Sequence, residues 1–199
     1  MKVFLLNKKV ILALMIIALL TLAAELQSRL APAVATFEAN NEIKKIEKLL
    51  YKSYSAMQGN FKFQLPDTWI TRSSTFSGGE ILYHLYFISP DNKLNGFVQV
   101  WSLQKPLKQF IEESKKAAVG PVDFKYFKTR EIMSGRKRGY LIDYVRANDS
   151  GQYYRGYEAF IEGGQNHVYR VSFFVDEKNW KQYYIIMFNR IIQSFAIKE

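Results

Sequence analysis

A run of fifteen residues, hydrophobic except for Thr21, lies near the start of the chain at positions 10–24. The run carries no charge, and Lys8 and Lys9 precede it. A helix needs roughly 20 apolar residues to cross a bilayer core, so this run spans a membrane only together with its flanks. It otherwise suits the apolar part of a secretory signal. The excess of lysine before the run predicts a cytoplasmic N-terminus and a chain that continues outside the cell.

Residues 1–35 therefore form either a membrane anchor or a signal segment. The small residues that a signal peptidase requires are poorly placed, at 21–23 inside the run and at 33–35 beyond Arg29. We expect an uncleaved, single-pass anchor in the cell membrane, with the domain outside the cytoplasm. The alternatives are secretion after cleavage and a buried helix of a cytosolic protein. The absence of cysteine excludes a lipoprotein anchor.

Apolar residues recur at helical spacing in the next segment, residues 36–59, with lysine and glutamate between them. Ile43, Ile46, Leu50 and Tyr54 share one side of such a helix. This pattern predicts an amphipathic linker helix, whose apolar side packs on the following domain, pairs with a second copy or lies on the membrane surface.

From residue 60 the apolar positions alternate with polar ones, which is typical of half-buried strands. We predict strands over residues 61–65, 70–76, 80–89, 95–103, 123–132, 139–147, 152–162 and 166–175. Pro106 opens a predicted helix that runs to residue 118, and Asp176 is the predicted N-cap of a last helix. Short connections between strands require antiparallel neighbours. Residues 60–199 are therefore predicted to be one α+β domain, an antiparallel sheet of about six to seven strands flanked by helices.

The order of these elements resembles the PsbP-like proteins, which share a fold with the Mog1 family. The resemblance covers residues 58–199. It rests on FQLPDTW, which places Pro66 and Trp69 after the first strand, and on Ser194 and Phe195 at the end of the last helix. It implies a non-enzymatic α/β/α sandwich without a cofactor. It implies no particular partner, because PsbP is an extrinsic photosystem II subunit whereas Mog1 binds a small GTPase.

The residues that carry common catalytic chemistry are few. His84 and His167 are the two histidines, and neither has a second histidine at metal-ligand spacing. The chain has no cysteine, no Gly-x-Ser-x-Gly motif and no glycine-rich phosphate loop. We therefore expect a binding or interaction domain without catalysis. A structural subunit of an envelope or membrane complex is the alternative, and a hydrolase with an unrecognised site is a weaker one.

Arginine and tyrosine alternate along the last predicted strands. If the registers of these strands match, three arginines lie between tyrosines on one sheet face, and Asp143 and Glu158 point to the opposite face. The predicted face consists of Tyr144, Arg146, Tyr153, Arg155, Tyr157 and Arg170. Arginine forks suit phosphate or carboxylate groups, and tyrosine rings stack on other rings. The alternative is a solvated face whose arginines pair with nearby acids or stack on tyrosines.

The charge of the chain favours anionic partners. The formal net charge is +10, and basic residues outnumber acidic ones both before and after residue 59. Outside a cell the available polyanions are lipid headgroups and cell-wall polymers rather than nucleic acid. We expect contact with the membrane through the N-terminal helix and, as partner of the domain, anionic lipid, a cell-wall polymer or a protein. Simple solubility is the alternative explanation of the charge.

Overall fold

The computed structural model describes residues 15–17, 19–22, 25–27, 40, 44, 46, 48–118 and 123–198. The chain divides into two compact units, Met1–Lys48 and Leu49–Glu199. Residues 15–17, 19–22 and 25–27 are helical, as predicted for this hydrophobic segment, and their side chains are exposed. Within the residues that the structure describes, no helix has the length and apolar character that crossing a membrane requires.

The predicted linker helix over residues 36–59 is wrong in its second half. Asn40, Lys44 and Ile46 are helical, and the other residues of this prediction before Lys48 lie outside the described residues. Strand β1, however, occupies Tyr51–Ala56 and a short 3-10 turn occupies Met57–Gly59. β1 pairs over its full length with β2 (Phe61–Pro66), and this pairing overrides the helical spacing of its side chains. The domain therefore begins at Leu49 rather than at residue 60.

A seven-stranded antiparallel sheet forms the body of the Leu49–Glu199 unit and confirms the predicted fold class. Its strands are β3 (Ile70–Ser73), β4 (Ile81–Ile88), β5 (Leu94–Ser102), β6 (Phe124–Ser134), β7 (Lys137–Ala147), β8 (Tyr153–Glu162) and β9 (His167–Asp176). They lie in the order β3-β4-β5-β9-β8-β7-β6, and each neighbouring pair is antiparallel. We call this the large sheet.

A second sheet of three strands, in the order β1-β2-β10, was not predicted. β10 is Ala196–Ile197 at the end of the chain. The alternation in β2 is present as predicted, with Phe61, Phe63 and Leu65 all buried. These side chains pack against the large sheet, because the Phe61 and Tyr169 rings lie 4.6 Å apart. β2 therefore packs against the large sheet instead of pairing with one of its edges.

Among the described residues of the Leu49–Glu199 unit, two α-helices lie against the large sheet. Helix α1 is Leu107–Ala118, as predicted, and helix α2 is Tyr184–Gln193. The predicted N-cap at Asp176 is wrong: Glu177–Asn179 form a 3-10 turn without a side-chain cap, and Trp180 is extended with φ −61° and ψ 134°. An extended residue ends the helical hydrogen-bond pattern, so α2 begins later than the sequence indicates.

The two helices lie on opposite faces of the large sheet. On one face of the large sheet, which we call the core-side face, Phe188 of α2 contacts Phe173 at a ring distance of 4.2 Å, beside the three-stranded sheet. On the opposite face, which we call the helix-side face, Leu107 and Ile111 of α1 pack against a buried cluster that includes Ile142 and Phe160. The domain is therefore a layered α+β sandwich, and only part of the helix-side face lies under α1.

Candidate functional site

The predicted arginine face is divided between the two faces of the large sheet. β7 and β8 pair Val145 with Arg155 and Asp143 with Tyr157, and residues paired across antiparallel strands point to the same side. Tyr153, Arg155 and Tyr157 thus lie on the core-side face together with Asp143. Tyr144, Arg146 and Arg170 lie on the helix-side face together with Glu158. The prediction of one shared face is wrong, because a register shift of one residue moves every side chain of a strand to the opposite face.

On the core-side face, Arg155 is occupied by an internal acid. Its Nε and Nη2 donate to the two carboxylate oxygens of Asp143 at 2.8 Å and 2.6 Å, and its guanidinium lies 3.9 Å from the centre of the Trp180 ring. Tyr126 also donates to Asp143, at 2.9 Å. Burial, together with this hydrogen bond, raises the pKa of Tyr126 well above its usual value. Arg155 therefore links β8 to Asp143 of β7, and its guanidinium is already paired with an internal carboxylate.

The two tyrosines that flank Arg155 also have internal partners. The Tyr153 hydroxyl donates to the carboxylate of Asp123. Tyr157 is buried, its ring packs edge-on against Phe188 at 4.6 Å, and its hydroxyl accepts from Arg130 at 3.4 Å. These three predicted residues are thus part of the folded framework.

On the helix-side face, the buried carboxylate of Glu158 binds two of the other predicted residues, Tyr144 and Arg170. Glu158 is 5% exposed. Its Oε2 accepts from Arg170 Nε at 2.9 Å, from Arg170 Nη2 and from Ser172 Oγ at 2.6 Å, and its Oε1 accepts from the Tyr144 hydroxyl at 2.8 Å. Gly156 permits this arrangement, because a Cβ there would lie 2.2 Å from Cζ of Tyr144. We call these four side chains the Glu158 network.

The Glu158 network has one protonation state at neutral pH. Burial by itself would raise the pKa of Glu158, but Arg170 and the hydrogen bonds from Ser172 and Tyr144 outweigh it and hold this pKa below its usual value. Burial and the neighbouring carboxylate raise the pKa of Tyr144 far above that of a free phenol. An ionised Glu158 and a protonated Tyr144 therefore face each other, and neither changes its protonation state near neutral pH.

This pKa shift makes the stability of the domain depend on pH in a defined direction. Because the folded protein favours ionised Glu158, the network stabilises the fold above the ordinary glutamate pKa of about 4.3, and this contribution disappears as the pH falls through the lower folded-state pKa. The difference in free energy of unfolding between the natural protein and Glu158→Gln should therefore shrink from about pH 7 to about pH 3. Urea unfolding at a series of pH values measures it, and a constant difference would contradict the assignment.

Arg170 links the Glu158 network to a polar row on β4 and β5. Its guanidinium lies 4.7 Å from the centre of the Phe97 ring and reaches Gln99 Oε1 at 3.4 Å. Gln99 Oε1 also accepts from Trp101 at 2.7 Å, so its amide nitrogen donates to His84 Nδ1 at 2.8 Å. Burial and then Arg170 lower the pKa of His84. His84 is therefore a neutral hydrogen-bond acceptor. Separately, among the described residues, no group of three or more His, Cys, Asp or Glu side chains is placed to hold a metal ion.

Between α1 and the large sheet lies a cavity of about 280 Å³, which we call the helix-side cavity. Its lining residues are Phe110, Ile111, Ser114, Phe124, Phe127, Ile142, Tyr144, Arg146, Glu158, Phe160 and Arg170. Arg146 is half-buried, donates from Nε to the Tyr154 hydroxyl and lies 5.2 Å from the centre of that ring. In the described part of the chain, no carboxylate lies within ion-pair distance of Arg146. The cavity thus combines apolar walls, a neutralised ion pair and one arginine without an acidic partner.

Three of the six predicted site residues, Tyr144, Arg146 and Arg170, line the helix-side cavity. Sequence reasoning missed Glu158, which it placed away from the arginines. A signal was present, since Glu158 stands between apolar residues in a strand, and a buried acid requires partners. The phenylalanine walls come from α1, β6 and β8, three segments that lie apart along the chain, and the sequence pattern does not report that they meet around one cavity.

A second, larger depression of about 720 Å³ lies where the 3-10 turn after β1 approaches the β8–β9 connection. Gln58 and Gln165 line it, and both have positive φ, 55° and 56°. His167 and Lys198 also face it. Most of its polar side chains are exposed, so this depression is an open polar surface, in contrast to the apolar helix-side cavity.

No family model and no curated protein matches the sequence. Solved structures, however, resemble it. Cyanobacterial PsbP (CyanoP) from Synechocystis matches with a TM-score of 0.54 and 13% identity, over 74% of this chain and 92% of that chain. LpqN of Mycobacterium tuberculosis, involved in cell envelope biogenesis, matches with a TM-score of 0.50 and 10% identity, over 78% of this chain and 95% of that chain. A Pseudomonas aeruginosa protein of unknown function matches with a TM-score of 0.47 and 13% identity, over 75% of this chain and 98% of that chain.

The domain has the PsbP-like fold that the order of its elements predicted. At 13% identity the likeness to CyanoP concerns the fold alone. Function must therefore be argued from the site.

Proposed function

We propose that this protein is a non-enzymatic binding domain, held by its N-terminal segment on the outer face of the cytoplasmic membrane, and that the helix-side cavity is its binding site. The observation that carries the proposal is the cavity itself. Ligand sites are mostly apolar concavities with a few placed polar groups. The helix-side cavity has this composition, with phenylalanine walls and the half-buried Arg146 in its lining.

The base of the cavity supports binding rather than proton transfer. General acid–base catalysis uses groups whose pKa lies near the working pH. In the Glu158 network, the pKa of Glu158 is lowered and that of Tyr144 is raised, so both move away from neutrality. Ser172 and Arg170 complete the hydrogen bonds of the carboxylate. These groups are suited to form a rigid polar wall.

The placement outside the cytoplasm rests on the N-terminal sequence. The uncharged residues 10–24 follow Lys8 and Lys9, and positive charge before an apolar segment keeps that end in the cytoplasm. A net charge of +10 suits a domain that works beside anionic lipid headgroups or wall polymers. In this proposal the anchor concentrates the domain at the membrane surface, and the cavity selects what it binds.

Cysteine labelling tests the location directly, because the chain contains no cysteine. Asp149→Cys places one thiol in the exposed connection between β7 and β8. In intact bacterial host cells we expect a membrane-impermeant maleimide to label Asp149→Cys, and the labelled protein to stay in the membrane fraction after carbonate washing.

Lys2→Cys is the matched control for the other side of the membrane. We expect it to be labelled only after the cells are opened, and mass spectrometry of the mature protein to find Met1. Labelling of Asp149→Cys only after lysis would refute the extracytoplasmic location. A mature N-terminus near Thr36 would replace the anchor by a cleaved signal.

A further inference from the structure

We propose that the helix-side cavity binds a compact amphiphilic anion, whose apolar body enters between α1 and the large sheet while its charged group pairs with Arg146. This inference rests on the proposed role of the cavity as the binding site. It adds the chemical class of the ligand and its orientation.

The volume of the cavity limits the ligand to a small apolar body. Ligand pockets usually measure about 300–1,000 Å³, and this cavity, with about 280 Å³, is slightly smaller than that range. Aromatic rings form much of the wall. Phe124 and Phe127 lie 5.4 Å apart, and Phe127 stacks on Tyr144 at 6.0 Å. A short acyl chain or a single ring fits such a space.

The charges of the lining residues select an anion. Glu158 neutralises Arg170 within the Glu158 network, so Arg146 supplies the charge that remains. Only Nε of Arg146 has a hydrogen-bond acceptor in the described part of the chain, the Tyr154 hydroxyl. The terminal nitrogens Nη1 and Nη2 therefore remain for a carboxylate or phosphate, which an arginine fork binds through two parallel hydrogen bonds.

The same charges set the orientation of the ligand. Glu158 and Arg170 neutralise each other in the cavity lining, so this part of the cavity offers no net positive charge to an anionic group. Arg146, which is half-buried, is the favourable position for the charge. The apolar body then contacts the phenylalanine walls, and the anionic group stays at Arg146.

A cavity cysteine gives a local readout of occupancy. Ser114 of α1 lines the cavity, so Ser114→Cys places the only thiol of the protein there. The full chain carrying Ser114→Cys is reconstituted in phosphatidylcholine nanodiscs. The rate at which a small methanethiosulfonate reagent modifies the introduced thiol is then measured in the presence of octanoate, octanol or octylamine. Because partition into the lipid is the same for every variant, differences between variants report the cavity.

We expect octanoate to slow the modification more strongly than octanol or octylamine. Adding Arg146→Gln should raise the octanoate concentration for half-protection about tenfold or more, since a charge-assisted hydrogen bond is lost. Octanol should protect both proteins equally. Arg146→Lys should retain most of the octanoate effect. Arg136→Gln, which removes the same charge from the exposed β6–β7 turn, should change nothing, and thermal unfolding checks that each variant is folded.

Several outcomes would overturn the inference. Equal protection by octanoate and octanol, or an unchanged octanoate effect in Arg146→Gln, would show an apolar cavity without anion selection and would leave the proposed binding site standing. Stronger protection by octylamine than by octanoate would show that the cavity prefers a cationic ligand to the anionic ligand proposed here. No protection by any probe would remove the cavity as the site of an amphiphile, while Asp149→Cys labelling would still decide the location of the domain.

Discussion

Replacing Glu158 by alanine should destabilise the domain by about 3–5 kcal/mol, the usual cost of removing one partner of a buried ion pair. The substitution leaves the largely buried Arg170 side chain, 18% exposed, next to the Phe97, Phe160 and Trp101 rings without its carboxylate. Ser172 and Tyr144 also lose the acceptor of their hydroxyl groups. Urea unfolding, followed by far-UV circular dichroism, measures the difference in free energy.

Two comparisons separate this effect from a general loss of negative charge. Glu112→Ala removes an exposed glutamate of α1 and should change the stability by no more than about 0.5 kcal/mol. The double variant Glu158→Leu with Arg170→Met should recover most of the loss, because an apolar pair leaves no buried charge unpaired. If Glu158→Ala were as mild as Glu112→Ala, the Glu158 network would not be a buried ion pair.

On the opposite face of the sheet, Phe188→Ala should cost about 3–5 kcal/mol. Phe188 is 0% exposed and contacts Phe173 and Tyr157 at ring distances of 4.2 Å and 4.6 Å. Removing the ring leaves a cavity between α2 and the large sheet, which the surrounding side chains fill only in part. Thermal and urea unfolding of the purified variant measure the loss.

Ile186 of the same helix provides the matched control, because its side chain is 44% exposed. Ile186→Ala should cost less than about 1 kcal/mol, although it also shortens an aliphatic side chain in α2. Equal losses for Phe188→Ala and Ile186→Ala would contradict the packing of α2 on the core-side face.

The register of β7 and β8 shows why the arginine face was predicted incorrectly. The sequence pattern placed a connection of four residues at 148–151. In the structure, the N–H of Asn148 donates to the carbonyl of Gln152 at 2.8 Å, so the strands continue pairing to these residues. A loop of three residues remains, and Gly151 takes the positive φ of 76° that such loops require. This single residue of loop length decides on which face Arg155 lies.

Residues 51–56 show a second limit of the sequence pattern. Leu50 and Tyr54 continue the helical spacing of the preceding segment, and local periodicity offers no reason to end the helix before Gly59. β2 supplies that reason, since it pairs with every residue of Tyr51–Ala56. Pairing with a segment further along the chain is not encoded in local periodicity.

The sequence by itself determined the class of the fold and most of its elements. Alternation of side chains along a strand and helical spacing in α1 are local properties, and turn residues mark where the strands end. Only the tertiary structure decided which side chains meet. The partner of β2, the register of β7 on β8 and the packing of α1 against β7 and β8 depend on hydrogen bonds and contacts between distant segments. The helix-side cavity, with Arg146 beside a neutralised Glu158 and Arg170, is a product of these long-range contacts.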